Sequence, residues 1–196
     1  MTATRRLFIS VDPPAEAVAH LGSAVETLEV SKANAPGRST RLAARELWHI
    51  TLAFLGDVPV DRVDRAAEAV RRAVATAGGP ITVSLAGGGT FGRGGMTVLW
   101  GGLAGDVAAL RRLAVALRRE LRRSRLPHDA KPFRPHLTLA RPGDRVARDL
   151  IAADVATLSA YAGPEWSVDA VHVVDSQLGP KPVHTRLASV PLTSES

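Results

Sequence analysis

His49-Ile50-Thr51-Leu52-Ala53-Phe54 and His136-Leu137-Thr138-Leu139-Ala140-Arg141 are two versions of one segment. Both read as strands, in which successive side chains turn to opposite faces. The alternation sets His49, Thr51 and Ala53 on one face and Ile50, Leu52 and Phe54 on the other. In the second copy His136, Thr138 and Ala140 share a face, against Leu137 and Leu139. Each strand is predicted to bury an aliphatic face and to present an imidazole, a hydroxyl and then a small residue. One His-x-Thr-Leu tetrad says little, because a histidine beside a threonine is commonly surface or satisfied core. Two at matching places make a set of acid–base groups suited to phosphate chemistry.

Outward from each tetrad the chain repeats itself. Arg6–Val11 reads as a strand, stopped by Asp12-Pro13-Pro14, and Val18, Leu21, Val25 and Leu28 predict a helix over about 14–29. A loop over 31–47 carries the breakers Asn34, Pro36 and Gly37. After the first His-strand, Asp61 is placed to cap a helix with the stripe Val63, Ala67, Val70 and Val74, and 81–86 is a strand. The glycine-rich run 87–95 reads as a flexible inter-lobe connection. It is not a phosphate loop, since no Gly-Lys-Ser/Thr ending or helix follows. The second half then restarts: a strand over 96–103, a helix from Asp106 to about Ser124, the second His-strand, a helix over 144–161 and a strand over 167–175. The first strand and its histidine are 43 residues apart in one half (Arg6 to His49) and 40 in the other (Met96 to His136).

The expected architecture is therefore one domain over 1–196, built from approximate repeats 5–86 and 96–175 with a closing strand at 183–191. Its fold class is α+β and bilobed, with a pseudo-two-fold internal duplication. Two antiparallel sheets with flanking helices would enclose a central cleft. A parallel α/β sheet fits less well, because the His-strands alternate instead of running continuously apolar.

Composition narrows the setting. The chain has 196 residues, 45% of them apolar and 22% charged, which suits a globular protein. No apolar run approaches the length of a membrane span, and the N-terminus lacks a signal-peptide pattern, so a cytoplasmic protein free of membranes is expected. There is no cysteine, so disulfides and thiolate chemistry are out. A monomer is expected. The net charge of +6, mostly arginine, suits a polyanionic partner; an arginine-rich composition in a GC-rich genome would give the same number.

Displacement at phosphorus needs a proton removed from the nucleophile and one given to the leaving oxygen, on opposite sides of the phosphate. Two histidines related by a pseudo-dyad meet that demand, and Thr51 and Thr138 can donate hydrogen bonds to the non-bridging oxygens. The pattern suggests no metal and no cofactor: there is no His-Glu-x-x-His and no His/Cys cluster. Arg134 stands two residues before His136, where the first copy has Leu47. A guanidinium there binds phosphate and favours a neutral imidazole beside it, which makes His136 the proton acceptor and His49 the donor.

These residues resemble the RNA 2′,3′-cyclic phosphodiesterases of the 2H phosphoesterase superfamily, first described as 2′-5′ RNA ligases. The resemblance runs through Arg6–Val11, Leu47–Gly56, Val98-Leu99-Trp100, Pro132–Arg141 and Ser176–Pro180. It implies opening of a terminal 2′,3′-cyclic phosphate on RNA to a 2′-phosphate. His49 would protonate the 3′-oxygen and His136 would activate water, with Thr51, Thr138 and Arg134 on the phosphate. RNA with a cyclic end, or a related nucleotide, is the implied partner. His184 stands where the family often has tyrosine. Three alternatives stay open: 2′-5′ ligation at the same site, hydrolysis of small cyclic nucleotides, and a non-catalytic RNA- or nucleotide-binding module. His20, His128 and His172 read as structural or solvated, Trp48 and Trp100 as core. The cluster Arg118, Arg119, Arg122, Arg123 and Arg125 reads as a solvated helix face.

Overall fold

The computed structural model describes residues 3–32, 40–143, 146–179 and 182–192; Asn34, Pro36, Gly37 and Pro180 lie outside them. In chain order the elements are β1 (Thr4–Val11), α1 (Ala15–Glu26), β2 (Thr40–Leu42), β3 (Ile50–Pro59), α2 (Val63–Val74), β4 (Thr82–Phe91) and β5 (Val98–Gly105). They continue with α3 (Val107–Arg123), β6 (Leu137–Pro142), α4 (Arg148–Ser159), β7 (Ala162–Ser167), β8 (Ala170–Gln177) and β9 (Val183–Pro191).

The strands pair antiparallel in the order β7-β4-β5-β6-β3-β1-β8-β9, with β2 added beside β6. The order is symmetric about its middle. Two four-stranded antiparallel arms meet at β6 and β3, and one registered pair, Ile50 opposite Leu137, joins them. The expected α+β architecture with two antiparallel sheets around a cleft takes this form, the sheets being continuous at that pair.

Sequence repeat and arm are not coextensive. β4, from the first half of the chain, lies beside β5; β8, from the second, lies beside β1. The helices follow the same exchange. Leu110, Leu117 and Leu121 of α3 and Val70 of α2 are buried with Leu7, Ile9 and Val173 of the β1 arm. Leu21 of α1 and Leu158 of α4 are buried with Leu85, Leu99 and Leu137 of the β5 arm. Each amphipathic stripe at three- and four-residue spacing thus covers one arm. Asp154 of α4 is buried and accepts the backbone N–H groups of Glu29 (2.6 Å) and Val30 (3.0 Å), which ties the end of α1 to α4.

Several local expectations are corrected. The glycine run is not a loose connection: β4 continues through it to Phe91. A Cβ on Gly89 would stand 2.7 Å from the Trp100 ring, so the missing side chain is what lets the indole lie across the strand. Asp61 does not cap α2. It sits in a 3₁₀ turn, Val60–Arg62, that delays the helix to Val63. Asp106 precedes α3, but its carboxylate accepts the Thr82 N–H at 3.0 Å instead of capping. β7 was not expected; it holds Gly163 and Pro164, and at the sheet edge beside β4 a proline is tolerated.

The strict alternation of the His-strands is also corrected. β3 slips register against β1 at Leu52 and again at Leu55, and β6 slips against β5 at Leu139. A bulge inserts an unpaired residue and re-phases the strand. Ala53 and Ala140 therefore turn into the cores, whereas Phe54 is only half-buried, under the guanidinium of Arg6 at 4.6 Å. The shared bulge at the leucine after each threonine limits the site face to His and Thr.

Candidate active site

β3 and β6 begin one residue after their histidines, at Ile50 and Leu137, and those two residues are the pair that joins the arms. Antiparallel register continued one step each way sets His49 across from Thr138 and Thr51 across from His136. All four side chains are half-buried, at the point where the arms part.

The two imidazoles are held alike. His49 Nδ1 lies 2.7 Å from the Leu47 carbonyl oxygen, and His136 Nδ1 lies 2.7 Å from that of Arg134. A carbonyl only accepts, so each Nδ1 carries hydrogen and each Nε2 is left as the titrating atom. The carbonyl in each case belongs to the residue two positions earlier, so the local chain orients its own histidine.

The surroundings differ. His49 stacks on Phe8 at 4.6 Å with an interplanar angle of 25°, and His184 meets it edge-on at 5.3 Å. A cavity of about 250 Å³ opens beside it, lined by Ser10, Asp12, Glu46, His49, His184 and Arg186 among others. His136 instead meets Phe91 edge-on at 4.9 Å, and Phe91 stacks on Trp100 at 5.0 Å. Arg134 reaches over the same Phe91 ring at 5.5 Å and has no carboxylate partner among the described residues. Trp100 is only partly buried, and its buried Nε1 lacks a hydrogen-bond partner among them. Trp48, by contrast, is core, its Nε1 donating to the Ala43 carbonyl at 3.1 Å.

Burial pushes the His49 imidazole below its ordinary value. Its bond to Leu47 and the charge of Asp12 pull the other way, and the charge of His136 adds to the lowering. His184 is lowered by burial and by His49, with Asp12 again opposing.

The structure therefore brings His49, Thr51, His136 and Thr138 to the junction of the two arms, with Arg134 beside His136 against Phe91. Asp12, Phe91 and Arg186 were not singled out from sequence. Asp12 read as a strand stop, Phe91 lay in the glycine run, and Arg186 is one arginine among many. His172 is a buried sheet residue whose Nδ1 meets the Ser189 hydroxyl at 2.9 Å. His20 is exposed and meets the Tyr161 hydroxyl at 2.9 Å; His128 meets the Leu126 carbonyl at 3.3 Å. Of the arginine cluster, Arg119 and Arg123 turn onto Glu120, a buried carboxylate that Arg72 of α2 also reaches at 3.1 Å. Burial works against ionisation of Glu120, but these hydrogen bonds outweigh it and hold its carboxyl below the usual range. Among the described residues no cluster of His, Cys, Asp or Glu is built to hold a metal ion, and no helix is long and apolar enough to cross a membrane.

Residues 8–180 match the model of the 2′-5′ RNA ligase superfamily. An RNA 2′,3′-cyclic phosphodiesterase of Thermus thermophilus is 32% identical over 97% of this chain and 91% of that protein. A protein of the same name from Geobacillus stearothermophilus is 41% identical over 97 residues, which is 49% of this chain and 30% of that one. The solved structure of the Thermus thermophilus protein TT0787 superposes with a TM-score of 0.73 at 29% identity, covering 97% of this chain and all of the other (100%).

Proposed function

The chain belongs to the 2′-5′ RNA ligase superfamily, and on that premise we propose that it hydrolyses RNA 2′,3′-cyclic phosphate ends to 2′-phosphomonoesters by metal-independent acid–base chemistry. The observation that carries this reading is the matched pair of histidines, each with Nδ1 bonded to the carbonyl two residues back, on either side of the Ile50–Leu137 pair.

In this reaction His136 Nε2 takes a proton from water as its oxygen attacks phosphorus. The P–O3′ bond breaks, and His49 Nε2–H gives its proton to the departing O3′. The product carries a 2′-phosphate and a free 3′-hydroxyl, and the proton inventory balances, because one histidine has gained what the other lost. Thr51, Thr138 and Arg134 hold the phosphate oxygens. Their hydrogen bonds strengthen as charge builds on those oxygens in the transition state. Burial disfavours the proton on His49 in the free protein, and an anionic phosphate in the cleft acts in the opposite sense. The donor is thus loaded along with its substrate.

The test is incubation with an oligoribonucleotide ending in a 2′,3′-cyclic phosphate, in excess chelator. A 2′-phosphate end, lost in His49→Ala and His136→Ala, is the expected result. An untouched cyclic end overturns the reading in favour of small nucleotides or a binding role. A 3′-phosphate product reverses the placement of donor and acceptor.

A further inference from the structure

Asp12 lines the cavity beside His49, and its carboxylate is bonded there by two side chains. It follows β1 directly, and Pro13 and Pro14 restrict the backbone after it. The β1–β3 register pairs Ser10 with Thr51 and Val11 with Ile50, so the next step sets Asp12 across from His49. Its carboxylate is held by two hydrogen bonds and has a third polar neighbour. Ser10 Oγ donates to Oδ1 at 3.1 Å, Arg186 Nη2 of β9 donates to Oδ2 at 2.7 Å, and His172 Nε2 of β8 lies 3.8 Å from Oδ2. A carboxylate so fixed does not swing away to solvent, and its side chain is only 29% exposed, so water screens it less than a surface group.

We infer that Asp12 is a positioning residue for His49, the fixed countercharge that keeps a proton available on a buried imidazole, with Arg186 setting how much of that charge His49 feels. This rests on the acid–base reading of His49 given above. The groups that bear on His49 come from every element around it. Asp12 follows β1, Glu46 lies on the turn before β3, and His184 and Arg186 come from β9. His136 precedes β6, and His172 stands behind Asp12 on β8. Of these, Asp12 favours the charged imidazole and His136 opposes it. The alternative is that Asp12 only staples β8 and β9 to the end of β1 through His172 and Arg186.

The two roles part on the sign of a titration. The His49 imidazole is followed by NMR in the full chain without substrate, its signal assigned by loss in His49→Gln. Asp12→Asn is expected to lower the midpoint of His49. Arg186→Gln is expected to raise the midpoint of His49, because it removes a cation and leaves Asp12 un-neutralised. Asp12→Glu is expected to restore most of the wild-type value. A staple gives no such opposite pair of shifts. A folded Asp12→Asn protein with an unmoved His49 overturns the proposal. If Asp12→Asn does not fold, Arg186→Gln decides alone, and an unmoved or lowered midpoint overturns it. No turnover enters this measurement. A null titration therefore leaves the phosphodiesterase reading standing, and a shifted titration in a protein that never opens a cyclic phosphate would sink that reading instead.

Discussion

The strands beside the two threonines carry the same kind of pair in opposite order. In one arm Thr51 faces Ser10 of β1, and Ser10 faces His172 of β8. In the other Thr138 faces Trp100 of β5, and Trp100 faces Gly89 of β4. One arm puts the small residue next to the threonine and the large one beyond it; the other reverses them. Packing density is met either way, since a large residue needs a small neighbour. The consequence for the cleft is unequal. Over Ser10 there is room, and the cavity beside His49 opens there. Beside His136 the indole and Phe91 form the wall. A pseudo-symmetric scaffold thus gives two like histidines unlike surroundings, as the proposed reaction, with one donor and one acceptor, needs.

Breaking the likeness outright gives the largest effect. His49→Ala and His136→Ala should each lower kcat/KM on a cyclic-phosphate end by at least about a hundredfold. Steady-state kinetics in which one of them retains wild-type activity would remove that histidine from the proton transfers. The threonines come next. Thr51→Val and Thr138→Val keep side-chain shape and lose the donor, and each should cost on the order of a hundredfold in kcat. Equal losses would show that the phosphate bridges the arms; a loss in one alone would place it on one side.

Gly89→Ala sharpens the packing half of the comparison. Its Cβ has Trp100 ring atoms at 2.7 and 3.1 Å, and overpacking of this kind costs about 1–3 kcal/mol in denaturant unfolding. A neutral result would mean that the indole moves aside freely and is not a fixed wall. Arg134→Leu gives the second copy the residue that the first has at Leu47. KM should rise about tenfold with kcat less affected, the outcome expected if, as proposed, the guanidinium binds the anion both before and during reaction. A fall in kcat with KM unchanged would make it a transition-state contact instead.

The smallest effect is on stability. Burial lowers His49, His172 and His184 below the ordinary value of 6.5. The unfolded chain therefore takes up protons on these groups more readily than the folded one. Folding is unpenalised above pH 6.5, and stability falls as pH drops from there toward the folded values. Thermal unfolding from pH 8 to pH 5 should show Tm declining below about 6.5. His172→Gln, which no longer titrates, should flatten that decline in part; an unchanged slope would remove His172 from it.

Much of the candidate site was legible because it is local. The bond from each Nδ1 to the carbonyl two residues back spans one tripeptide, and a His-x-Thr alternation is visible in four letters. The helices were legible for the same reason: Leu110, Leu113, Leu117 and Leu121 repeat at helical spacing whatever covers them. Fine alternation beyond the threonines was not, since the bulges at Leu52 and Leu139 depend on how β1 and β5 pair with their neighbours. Nor was β7, whose glycine and proline are permitted only by its place at an edge.

By itself, then, the sequence determined an antiparallel α+β scaffold with two His-x-Thr strands, because strand and helix periods and backbone-held imidazoles are properties of short segments. Only the tertiary structure decided which strands share an arm, that a glycine run is a strand beneath an indole, and that Asp12 stands among Ser10, His172 and Arg186. Those outcomes rest on contacts between residues as many as 174 positions apart, as from Asp12 to Arg186. Such contacts are chosen by packing volume and charge in the folded chain, and no local pattern encodes them.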